Sequence, residues 1–400
     1  MMHFSGLHVV LPDRILSPGT VVVDGERIVE ILPDDRPAGG PGFTLPGHYL
    51  LPGFIDVHVH GVEGADTLDG GDAVRRIAAR LPKFGVTAFC PTSVACPPPA
   101  LRELLAAVRS ARERAVQGAS RVLPAHLESN FISPDFRGAQ PLACLRAPRG
   151  APPPGEFAAA DILEEIAAAR PDVGIVTLAP ELDGAPDLIS ELAEQGHRVS
   201  LGHSGATYEQ AIDGIRAGAR HATHLFNRMT PLGHRAPGLA GAVLDSEEVL
   251  AEVICDGVHV HPAAVRIALA AKKASGMVAI TDGTAGSGLP RGSHATLGGR
   301  RITVGDQALL DDGTVAGSVL TMDQAFRMLI RTAGVDLIAA STICSATPAR
   351  ALGLHGFGVI ARDAVADLVV LDPDLRVVHT FIGGAPAWGT GPPLPPSIPL

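Results

Sequence analysis

No apolar run in this 400-residue chain is long enough to cross a bilayer as a helix. The first residues offer no signal-peptide core, because Asp13 and Arg14 stand where an apolar stretch is needed. No basic run occurs, and the formal net charge is −10. That balance excludes a nucleic-acid surface, although an anionic small substrate needs only a few local donors. The five cysteines, Cys90, Cys96, Cys144, Cys255 and Cys344, are odd in number and lack CxxC spacing. They exclude a disulfide framework and point to reduced thiols in a cytoplasmic protein. The Gly-rich stretch Gly283–Gly292 lacks the GxxxxGK and GxGxxG spacings of phosphate cradles and reads as a flexible lid.

What is present begins at Gly53-Phe54-Ile55-Asp56-Val57-His58-Val59-His60-Gly61. This is a short apolar strand ending in two histidines. Strand side chains alternate, so His58 and His60 share a face and can meet one metal ion.

From there the chain alternates between β and α. Apolar strands are expected at Phe54–His60, Val86–Pro91, Val122–Glu128, Val173–Pro180, Arg198–His203, Ala222–Phe226, Ala251–Asp256 and Val278–Asp282. Ala- and Arg-rich stretches of helical spacing separate them, such as Asp72–Phe84, Ala100–Gln117 and Thr207–Ala217. Eight strands with crossover helices describe an α/β fold, a (β/α)8 TIM barrel. A doubly wound open sheet is the alternative, but it would not bring all the strand ends together. The flanks read as short strands broken by Pro, Gly and Asp. The expected domains are therefore a small β-sandwich from 1–52, an insertion at 295–318 and 354–390, and a catalytic barrel from 53–294. Barrel-associated helices fill 319–353, and 391–400 is a Pro-rich, disordered tail.

Four more strand ends carry coordinating or acid–base groups: Glu128, His203, His224 and Asp282. In a parallel barrel these ends share the face where active sites sit. Imidazoles and carboxylates suit zinc, with iron, manganese or cobalt as other fits. His58, His60, Glu128, His203 and His224 could hold one or two ions, with Glu128 as the bridge. The fourth strand has no lysine near Thr177–Glu181, so a carbamylated-lysine bridge is excluded there. Asp282 can take a proton from a metal-activated water and pass it to a leaving nitrogen, which suits hydrolysis of an amide.

The motifs that contain these residues are LPGFIDVHVHG from Leu51, AHLESNFISPDFRGAQP from Ala125, LGHSGA from Leu201 and THLFNRM from Thr223. HRAPGLAGA, ICDGVHV, ITDG and VAGSVLTM follow in order. With them the chain resembles the amidohydrolase superfamily and, within it, the deacetylases of amino-sugar phosphates. The resemblance implies a barrel with a β-sandwich, a cytoplasmic homodimer, and hydrolysis of N-acetylglucosamine 6-phosphate to glucosamine 6-phosphate and acetate. N-acetylgalactosamine 6-phosphate, a non-phosphorylated amino sugar and a cyclic amide are the alternative substrates. Carried over by position, Glu128, His203 and His224 hold the main metal, His58 and His60 a second, and Asp282 is general base and acid. Ala139, Gln140, Asn227, the backbone of Arg228, His259 and the loop Val315, Ala316, Gly317 match substrate contacts. Arg235 matches an arginine that reaches a phosphate, within its own subunit or across a dimer. Two departures bear on substrate identity: Ser129-Asn130 replaces the usual Gly-Pro, and Gln140 stands where many members have His.

Overall fold

The computed structural model describes residues 1–33 and 42–390. The Pro-rich segment 391–400 lies outside the described residues. The eight expected barrel strands form at Phe54–Val59, Val86–Ser93, Ala125–Glu128, Val173–Leu178, Arg198–Leu201, His221–Ala222, Leu250–Ile254 and Met277–Ile280. Each pairs in parallel with the next. Closure comes from a parallel bridge between Val59 and Gly283, with Asp282 N donating to His58 O at 3.0 Å. The first two strands are buried along their whole length, as the near-continuous apolar sequence of a parallel sheet requires.

Local chemistry sets the helices. Thr207 accepts from Gln210 N while Gln210 returns the bond to Thr207 N, a capping box that starts Tyr208–Arg216. Helix Met322–Arg331 buries Met322, Ala325, Phe326 and Leu329, one face at 3.6-residue spacing. Phe326 meets Phe54 of the first strand, ring centroids 5.1 Å apart. One further helix, Gly238–Asp245, is buried on nearly every side from Gly238 to Val243. It carries no amphipathic period, so the sequence gives no helical signal there.

The two ends of the chain build one mostly antiparallel sheet. Tyr49–Pro52 pairs with Leu368–Leu371, and Met2–Val10 carries Ile15–Asp24 and Arg27–Leu32 beyond it. Its core contains Phe4 and Phe381 in an edge-on contact at 4.8 Å. The insertion differs from expectation. His294–Leu297, Arg300–Val304 and Ala308–Leu310 form their own three-stranded sheet and do not join the terminal one. Leu297, Ile302, Ala308 and Ala316 pack on Val94 instead, which draws this sheet over the barrel's mouth. Nor is Gly283–Gly292 a free lid. Gly283 to Ser287 is buried, and the segment bonds to Glu63, Gly64 and Ser318.

Arg121, on the barrel, ties the two domains. Its guanidinium donates twice to the buried Asp367 carboxylate, at 2.9 and 3.1 Å. Arg121→Met leaves that carboxylate without its counter-charge. Arg121 is partly exposed, so solvent offsets part of the cost. The expected loss is about 2 kcal/mol, read from urea unfolding. A loss near zero would show that the pair does not join the domains.

Candidate active site

The C-terminal ends of the strands converge on a cavity of about 490 Å³. His60, Glu128, His203, His224 and Asp282 line it. Glu128 Oε1 lies 2.8 Å from His203 Nε2 and 2.9 Å from His224 Nε2, and the two ring nitrogens are 3.0 Å apart. On the other side of Glu128, His58 Nε2 and His60 Nε2 are 3.2 Å apart. His60 Nε2 is 3.5 Å from Glu128 Oε2. Glu128 thus belongs to both groups. Asp282 Oδ1 faces the second group, 3.2 Å from His60 Nε2 and 3.4 Å from His58 Nε2.

The donor set fits a divalent ion. Nδ1 of His203 faces the Phe136 carbonyl at 2.8 Å, so it carries the hydrogen. Nδ1 of His58 faces Glu252 Oε2 at 3.0 Å in the same way. Whenever these rings are neutral, their Nε2 atoms therefore present lone pairs to carboxylate oxygens and to each other. Such an arrangement repels itself unless a cation, or a proton, sits among the atoms. Burial opposes charge on His58, but Glu252, Asp282 and Glu128 outweigh it and push its imidazolium up to about 10. The third group of potential ligands, His58, His126 and Glu252, does not fit. There His126 bonds Val57 O at 3.0 Å and Thr177 Oγ1 at 2.8 Å, so its nitrogens are already engaged.

Strain marks the same rim. His203, His224, Phe226, Arg228 and Asp282 all have positive φ, between +33° and +77°. Non-glycine residues hold that conformation at a cost and concentrate at functional sites. Burial would raise the pKa of Asp282, but the imidazoles of His58 and His60 hold it below the ordinary carboxylate value. Asp282 is thus a base at neutral pH. His259 is partly buried, which would lower its pKa, but Asp256 Oδ2 at 2.6 Å from Nδ1 raises it.

Among the residues matched to substrate contacts, Ala139, Gln140, Asn227, Arg228, His259, Val315 and Gly317 line the cavity. Ala316 does not; it is fully buried under the insertion sheet. Arg235 is exposed on the loop before Gly238–Asp245 and lines no part of the cavity. Arg228 packs across Gly138, where a Cβ would come within 2.9 Å of its Nε; Gly138 also has φ +58°. Gln140 accepts from Ala95 N at 2.7 Å and donates to Glu128 Oε2, so it orients the shared carboxylate. Asn130 does not reach the site. Its amide donates to the carbonyls of Cys96 and Cys144, at 2.9 and 2.7 Å.

Sequence reading missed Glu252. It is fully buried and receives His58 Nδ1 and His221 Nε2 at 3.0 Å each and His224 N at 3.2 Å. The available signal was one acid inside the apolar strand Leu250–Ile254, since a buried charge needs partners. Partners of this kind fix a ligand's tautomer and orientation. Glu252→Gln is expected to weaken metal affinity about 10- to 100-fold, measured by competition with a chelator. An unchanged affinity would reduce Glu252 to a packing role.

Comparison with known proteins agrees with this geometry. The model of the amidohydrolase family matches residues 49–387. The N-acetylglucosamine-6-phosphate deacetylase of Mus musculus is 38% identical over 390 residues, covering 94% of this chain and 90% of the mouse protein. The N-acetylgalactosamine-6-phosphate deacetylase of Escherichia coli O157:H7 is 35% identical over 339 residues, 84% of this chain and 86% of its own. A crystallised variant of the Mycobacterium smegmatis N-acetyl-D-glucosamine-6-phosphate deacetylase, in complex with N-acetyl-D-glucosamine-6-phosphate, superposes with a TM-score of 0.87. It is 31% identical, covering 96% of this chain and 99% of that one. A rim of potential metal ligands on a parallel barrel, matched along most of its length, means that this chain belongs to the amidohydrolase family.

Proposed function

We propose that this chain hydrolyses N-acetylglucosamine 6-phosphate to glucosamine 6-phosphate and acetate. The observation that carries the reading is Asp282 Oδ1 set within 3.4 Å of both His58 and His60 Nε2 at one wall of the cavity. Glu128, His203 and His224 would hold the main divalent ion, and His58 and His60 a second. Zinc is our assignment from the nitrogen and oxygen donors. Bound there, the ion supplies a nucleophilic water at neutral pH and polarises the acetamide carbonyl.

The chain's own groups do the rest. Asp282 Oδ1 accepts the proton as the carbon–oxygen bond forms, then returns it to the nitrogen as the carbon–nitrogen bond breaks. His259, whose charged form Asp256 favours, donates to the sugar phosphate. Asn227 and the backbone of Arg228 bind its polar groups, and Val315–Gly317 closes over the ring.

The E. coli relative supports N-acetylgalactosamine 6-phosphate as a second reading. Acetate release from both epimers and from unphosphorylated N-acetylglucosamine, using metal-loaded protein, decides between them. The first substrate is expected to show the highest kcat/KM. A preference for the galacto epimer would move the assignment, and turnover of a cyclic amide alone would refute it.

We also infer a cytoplasmic homodimer. Five buried free cysteines support a reducing compartment. No described helix is long and apolar enough to cross a membrane. The exposed Arg235 supports a phosphate contact made across the dimer. Arg235→Ala is expected to raise KM for the phosphorylated sugar about tenfold or more and to leave kcat nearly unchanged, as loss of one charged hydrogen bond implies. An unchanged KM would remove Arg235 from substrate binding.

A further inference from the structure

The opposite end of the barrel holds a second cavity, of about 620 Å³. Pro124, Val173 and Arg198 line it, so it sits where the third, fourth and fifth strands begin, whereas the catalytic cavity sits where strands end. Among the described residues its walls carry Arg112, Arg170, Arg198, Arg220 and His197, with no Asp or Glu. In a chain of net charge −10 this is an unusual concentration of positive charge.

Two of these cations are already answered. Arg112 pairs with Asp172, and Arg220 with Glu248 at 3.1 Å. Arg170 is exposed, and among the described residues its side chain meets only the carbonyl of Gln195. The Arg198 side chain has no hydrogen bond or ion pair among the described residues; burial, then Arg220 and Arg350, work against its charge. His197 is 7% exposed, with Nδ1 donating to Val173 O at 3.0 Å. Its Nε2 is buried, has no partner, and in the neutral ring is an acceptor. The half-buried Arg198 guanidinium, with the exposed Arg170 on the same wall, calls for a ligand that brings negative charge. The volume lies in the range of small-molecule pockets.

We propose that this cavity is a second ligand site that binds a small phosphorylated molecule, with Arg198 and Arg170 on the phosphate. Nothing in the hydrolytic reaction uses it. Occupancy would remove the repulsion around Arg198 and stabilise the folded state.

Crystals of the metal-loaded protein soaked in sodium tungstate test the site directly. Anomalous density within hydrogen-bond distance of the Arg198 guanidinium is expected, alongside whatever the catalytic cavity binds. Absence of density at Arg198 would overturn the proposal. In solution, inorganic phosphate should raise Tm by about 1–3 °C more in the parent protein than in Arg198→Ala, with kcat/KM unchanged by the substitution. An equal rise in both proteins would also overturn it.

Discussion

Asp282→Asn is expected to keep its metal and lose about a hundred- to ten-thousand-fold in kcat. The amide fills the same volume and can still bond His60, so the rim stays built. It cannot accept a proton, so neither the attack nor the departure of the amine is assisted. The carboxylate is held below its ordinary value by the flanking imidazoles, which outweigh its burial. The base form is therefore the one present at neutral pH, and parent activity falls only as acid protonates it. The variant should lose that acid limb along with its rate. Near-parental kcat with metal retained would take the proton shuttle away from Asp282.

The second large effect is expected from Glu128→Gln. This carboxylate is shared by both groups of imidazoles and is held by Gln140. Burial works against its charge, but His203, His224 and His58 hold its pKa well below the ordinary range. An amide removes the one negative charge common to both groups. Loss of the ion forfeits several kcal/mol of transition-state stabilisation, about a thousandfold or more in rate. Metal content and rate should fall together, and excess zinc should restore part of both. A variant with full metal content and a low rate would place Glu128 outside the ligand set.

The barrel and its rim were legible because both rest on local patterns. Apolar runs alternating with helical spacing expose parallel strands, and His58-Val59-His60 exposes a shared face. The strand ends at Glu128, His203, His224 and Asp282 then fall together by topology alone. Where contacts are non-local, the pattern is silent. Glu252 reads as one odd acid until the barrel sets it against His58 and His221. Gly238–Asp245 is apolar on every side, so no period marks it. The insertion strands look like those of the terminal sheet, and only packing on Val94 decides where they go. Gln140 lines the cavity, and only the fold shows that its amide also engages Ala95 and Glu128. Asn130 looked like a change in the site and instead braces two carbonyls beneath it.

The most direct test is acetate release from N-acetylglucosamine 6-phosphate by one preparation, assayed loaded with zinc, stripped by a chelator, and reloaded. Equal amounts of acetate and free amine, lost on stripping and regained on reloading, are the predicted result. Folded, zinc-loaded protein that frees no acetate would contradict the account.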